Sequence, residues 1–157
     1  MGSNAAVAYA LSRFDLDGLV VLSPGHFPEG GMGKRLRSSY ERAQRMVAAN
    51  RGADSDSFED INQGKQRSLK MTAGIYVSYF DPNGLGAITK NIKKFSKPVP
   101  VLLVIGTDDP FYPEAQAMFD SAPANAASRY VALRTDHFNM PNVVAAEFLK
   151  WLDSFAK

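Results

Sequence analysis

Val99-Pro100-Val101-Leu102-Leu103-Val104-Ile105, followed at once by Gly106-Thr107-Asp108-Asp109-Pro110, is the stretch that decides the fold. The run is uniformly apolar and rich in β-branched side chains. A strand buried on both faces, as in a parallel sheet, has this pattern. It stops abruptly at a glycine and a polar cluster. Two further runs behave alike. Leu19-Val20-Val21-Leu22 ends at Ser23-Pro24-Gly25, and Tyr130-Val131-Ala132-Leu133 ends at Arg134-Thr135-Asp136-His137-Phe138.

Helical segments lie between and around these runs. Residues 4–14 form an alanine-rich helix whose small side chains allow close approach to a sheet. A helix opens at Pro113-Glu114 and runs to about Ser121, with proline tolerated in its first turn. The last helix begins near Pro141 and carries Val144, Phe148, Trp151, Leu152 and Phe155 at helical spacing. Residues 27–97 differ, with more charge, several glycines and no comparable apolar run. There the pattern predicts an amphipathic helix over 34–50, a polar loop with some helix over 54–64, a helix over 68–80 and a short helix over 85–95. The Asp81-Pro82-Asn83-Gly84 segment is a turn. The expectation is an α/β chain of 157 residues, one domain over 1–157, with about three parallel strands, flanking helices and a helical insertion at 27–97.

Composition excludes several classes. Hydrophobic residues make up 45% and charged residues 22%, so the chain can bury a core. The formal charge of +2 gives no basis for a nucleic-acid partner. The basic stretches 34–45 and 90–97 read as solvated faces. With no cysteine there is no disulfide, thiol nucleophile or thiolate metal site. Two histidines would need carboxylates to complete a zinc site, so neither a metal nor another cofactor is expected. No apolar run could span a membrane. No signal peptide is visible, which implies a cytoplasmic chain as it stands, or a periplasmic or secreted one if an upstream segment supplies the signal. Gly33-Lys34 does not complete a phosphate loop, because Pro28 and Arg35 occupy positions that the motif gives to other residues.

Chemistry concentrates at the strand ends, where ligands bind in open α/β sheets. Asp109 follows one strand and His137 another. A carboxylate can hold an imidazole in one tautomer and stabilise its charged form, leaving the far nitrogen to deprotonate a hydroxyl. The plainer reading of an aspartate after a strand is a helix cap or turn former, and that of a lone loop histidine is structural. His26, Tyr79 and Phe111 are candidates for the substrate pocket. Tyr76, Phe80, Met46 and Met71 could line an acyl pocket or simply pack a core.

These segments resemble the α/β-hydrolase superfamily of esterases, lipases and related peptidases. Gly106-Thr107-Asp108-Asp109-Pro110-Phe111-Tyr112-Pro113 is similar to the family's acid loop, with Asp109 the better match and Asp108 the fallback. Asp136-His137-Phe138 before the Pro141 helix is similar to its histidine loop, although Asp136 stands where a glycine is common. Met1-Gly2 before the alanine-rich helix resembles the last two positions of the G-x-S-x-G nucleophile turn. Ser3 lacks the preceding glycine, and Pro24 is a poor start to such a turn after Ser23. The resemblance implies a hydrolase of ester or amide bonds using a Ser-His-Asp mechanism, its serine immediately before Met1 and absent from this chain. It implies Asp109 and His137 as catalytic residues, the Met1 backbone N–H as an oxyanion donor, and 27–97 as a lid. The alternative is a catalytically inactive, hydrolase-like remnant that binds or self-associates, forming a homo-oligomer through an exposed sheet edge beside 19–22.

Overall fold

In the computed structural model, which describes residues 2–13 and 15–154, the chain divides into two units: Met1–Gly25 with Ile88–Lys157, and His26–Ala87. The first is mixed α/β. Its strands β1 (Leu19–Leu22), β4 (Val101–Gly106) and β5 (Arg129–Leu133) form a parallel sheet in the order β1-β4-β5. In sequence, the second unit and the short helix α5 (Ile88–Ile92) come between β1 and β4. Leu19 pairs with Val101, and Leu103 with Tyr130, so the three strands end close to one level.

β4 is buried at every position. Each fully buried Val, Leu or Ile side chain stabilises the fold by about 2 kcal/mol relative to exposure, which makes this strand the anchor of the unit. Its side chains alternate between faces. Leu102 and Val104 join Met140, Val144 and Trp151, with Val20, Leu22, Val131 and Phe148 around them. That layer belongs to α7 (Met140–Val143) and α8 (Ala145–Asp153). The odd positions, Val101, Leu103 and Ile105, are left to the other face, where α1 (Gly2–Ser12) packs on β1 and α6 (Tyr112–Ser121) on β4. The Trp151 indole N–H donates to the Ala127 carbonyl at 2.7 Å and so ties α8 to the segment entering β5.

Several boundaries differ from those the sequence suggests. The helix expected over 4–14 spans Gly2–Ser12. β1 alternates buried and half-buried residues rather than being buried throughout, and among the described residues only β4 flanks it. The terminal helix is two pieces meeting at Val144, and Leu152 is 42% exposed and so leaves the apolar stripe. Phe155 and Met1 lie outside the described residues.

The second unit corrects the expectation of a helical insertion. It holds α2 (Gly31–Arg35), α3 (Arg37–Ala48), an antiparallel hairpin of β2 (Ser55–Asn62) and β3 (Lys65–Thr72), and α4 (Ala73–Phe80). The single helix expected over 34–50 is therefore split at Leu36. The loop expected over 54–64 is a strand and its turn, and the first half of the helix expected over 68–80 is the returning strand. Gln63 and Gly64, at φ 49° and 74°, form the two-residue turn with both positions left-handed that suits the twist of paired strands. Thr72 ends β3 and caps α4 through its hydroxyl, which accepts from Ile75 N–H. The helix expected over 85–95 shrinks to α5, which belongs to the sheet unit and packs against α1 and α6. The insertion therefore spans 26–87 rather than 27–97.

A ladder of rings forms the core of the insert. Phe58 stacks on Tyr76 at 4.5 Å, Tyr76 on Phe80 at 4.5 Å, and Phe80 meets His26 and Tyr79 at 5.2 and 4.8 Å. Arg42 caps the far end, lying 4.8 Å above the Phe58 ring and paired with Asp56. The Tyr76 hydroxyl donates to the Glu59 carbonyl at 2.6 Å, and burial pushes its pKa up to about 12. Tyr76 and Phe80 are thus packing residues. Arg37 and Arg42 are paired with carboxylates, as expected of a solvated basic face.

Candidate active site

Three strand ends present their loops on one side of the sheet, and the loops after β4 and β5 are stitched together. Thr107 N–H donates to the Leu133 carbonyl at 2.8 Å, and Asp108 N–H to the Thr135 carbonyl at 3.1 Å. This seam is possible because position 106 is glycine. A Cβ there would lie 2.1 Å from the Thr135 carbonyl oxygen. Backbone meets backbone at the point where the acid loop and the histidine loop leave the sheet.

The seam brings Asp109 and His137 together. His137 Nδ1 lies 2.9 Å from Asp109 Oδ2. A carboxylate only accepts, so Nδ1–H donates and the lone pair of the neutral ring sits on Nε2. Asp109 Oδ1 accepts from Phe111 N–H at 2.9 Å. The turn-forming and histidine-holding readings of Asp109 are therefore both realised, one oxygen each. The Asp109 side chain is 0% exposed and that of His137 31%, so the acid is shielded while the imidazole keeps an open edge. Asp108 is exposed and is not the partner of His137.

Asp136, directly before His137, has a local role. Its carboxylate accepts from Asn139 N–H at 2.8 Å and from Phe138 N–H at 2.9 Å, and also takes the Asn139 side-chain amide. These bonds, those of Asn139 first, hold its carboxyl below the usual range. Asp136 thus shapes the turn that leads from His137 into α7.

One aromatic ring and one backbone segment flank the imidazole. Phe138, 75% exposed, meets it edge-on at 5.7 Å. Gly25, beyond β1, presses its backbone toward it, since a Cβ there would be 3.5 Å from His137 Cε1 and 3.6 Å from the Phe111 ring. Phe111, expected in the pocket, is 7% exposed and stands beside the pair. Phe138 was not singled out by sequence, although an aromatic directly after the candidate base was a usable signal.

His26 and Tyr79 belong to the insert and come together there. Their rings lie 4.3 Å apart, and His26 Nε2 is 2.8 Å from the Tyr79 carbonyl, so that nitrogen donates. His26 is 4% exposed, and Nε2 is committed to this bond rather than to a ligand. Burial lowers its pKa from the ordinary 6.5, with the Tyr79 carbonyl opposing. The unfolded chain then binds the proton more readily than the folded one. Stability from the neutral ring is fully present above pH 6.5 and is lost as pH falls through the lowered value. Thermal melts between pH 7 and 4 should show this loss, and His26→Gln should flatten it. An identical slope in the variant would exclude His26 as its source.

Among the described residues no cluster of His, Cys, Asp and Glu could hold a metal ion, and no helix is long and apolar enough to cross a membrane. No family model matches the chain, and no curated protein matches its sequence.

Proposed function

We propose that this chain carries the acid and base of a serine hydrolase of the α/β-hydrolase class, acting on ester or amide bonds. The observation that carries this reading is the Asp109–His137 hydrogen bond of 2.9 Å at the ends of adjacent parallel strands, its acid buried and its base open on one edge. In the complete reaction a serine immediately before Met1 attacks the carbonyl. His137 Nε2 takes the serine proton and returns it to the leaving group, while Asp109 holds the ring and stabilises its charged form. The Met1 backbone N–H helps bind the developing oxyanion. The 26–87 insert serves as the lid that selects substrate.

A second reading, a binding or self-associating remnant, is favoured by one observation. Among the described residues β1 has a partner strand on one side only, and an open edge invites pairing with another chain.

The coding frame upstream of Met1 separates the two. A G-x-S triplet in frame, with the longer product hydrolysing p-nitrophenyl butyrate and His137→Ala losing about 10⁴-fold or more of that rate, is the expected result. Turnover indifferent to His137→Ala would overturn the hydrolase reading. A stop codon just before Met1, with an associated species in light scattering, would select the remnant.

A further inference from the structure

Ser23 closes β1 in a conformation that L side chains rarely adopt, with φ at 38°. Its backbone is held in register, since its N–H donates to the Val104 carbonyl at 2.8 Å. The residue is 7% exposed, and its buried Oγ has no hydrogen-bond partner among the described residues. Ser3 gives the contrast: its hydroxyl donates to the Leu22 carbonyl, one residue before Ser23, at 2.9 Å. Buried polar groups in native proteins are almost always paired, and a left-handed non-glycine residue is strained. Both departures fall on one residue, and they fall at a strand end. Two residues further on, the same loop places Gly25 against His137 and Phe111. Strained residues cluster at active sites, ligand clamps and switch regions.

We propose that Ser23 is a specificity-determining residue of the Asp109–His137 site. Its hydroxyl is reserved for bound substrate and selects esters or amides that carry a second hydrogen-bonding group, a hydroxyl or an oxo oxygen, besides the scissile carbonyl. The inference rests on the acyl-transfer reading and adds the substrate class. A purely aliphatic substrate would leave the hydroxyl buried and unmet, whereas a hydroxylated one satisfies it. A site with a buried polar group discriminates strongly between such analogues.

The test uses the 157-residue chain and the imidazole resonances of its two histidines. The chain is titrated with lactate against propionate and with 3-hydroxybutyrate against butyrate, each pair differing by one hydroxyl. In at least one pair the hydroxylated acid should shift the His137 Hε1 signal with an affinity at least about ten-fold tighter than its partner. Ser23→Ala should erase that preference while leaving the melting temperature unchanged or higher, because no hydrogen bond is lost. A Ser23→Ala variant that melts several degrees lower would make the hydroxyl structural and overturn the proposal. Equal binding within both pairs, or a preference that survives Ser23→Ala, would overturn it and leave the acyl-transfer reading standing. No response of His137 to any of the four acids would overturn both.

Discussion

Asp109→Asn is expected, on the hydrolase reading proposed above, to lower ester or amide turnover by about 10⁴-fold in a product that carries an upstream serine, while leaving its melting temperature nearly unchanged. The substitution is almost isosteric. The asparagine oxygen can still accept from Phe111 N–H, so the turn after β4 survives. The other end changes sign, because an amide N–H₂ now faces His137 Nδ1 and donates where the carboxylate accepted. The ring must then carry its proton on Nε2, and a protonated Nε2 cannot take a proton from a hydroxyl. The tautomer is visible without any assay, since the ¹⁵N shifts of the His137 ring should exchange their protonated and unprotonated signatures. Full activity in Asp109→Asn would remove Asp109 from the mechanism. A large fall in melting temperature would mean that the carboxylate serves mainly to fix the loop.

Gly106→Ala should cost about 3 kcal/mol, the upper end of what overpacking usually costs. The added methyl would sit 2.1 Å from the Thr135 carbonyl oxygen, and that atom is backbone, which cannot turn aside as a flexible side chain does. The loops must part, and the bonds from Thr107 N–H to Leu133 and from Asp108 N–H to Thr135 lengthen with them. Chemical denaturation measures the loss, and imidazole spectra of the surviving folded fraction should show His137 released from Asp109. A stable variant with an intact His137 signal would show that the seam can shift without disturbing the pair.

The parts of this fold legible in sequence are those governed by burial. The 99–105 run reads as the strongest strand, because it is apolar throughout and rich in β-branched residues, and the strand found is Val101–Gly106. The strand-end positions of Asp109 and His137 followed from it. The hairpin was not legible in the same way. β2 offers only Phe58 and Ile61 as large apolar residues, and its remaining stability comes from cross-strand pairing and from Arg42, which lies on α3 far back in sequence. Gln63-Gly64 is a weaker turn signal than Asn-Gly, although it adopts the same left-handed pair of conformations. At the site, side-chain chemistry pointed to the acid and the base, but the backbone angle of Ser23 leaves no mark in composition or spacing. Pro24 argued against a nucleophile turn there and had nothing to say about a buried unpaired hydroxyl.

The insert closes on itself at its root. His26, its first residue, bonds the Tyr79 carbonyl, and a Cβ on Gly86, one residue before its end, would lie 3.4 Å from His26 Nε2. A loop whose ends already meet needs little from its surroundings to stay closed, and lengthening it adds little entropic cost. The 26–87 segment can therefore be regarded as a cassette. Its length, its hairpin and its helices can drift or be exchanged as long as the clasp remains. Such an arrangement lets the segment vary in sequence and length with little cost to its own closure.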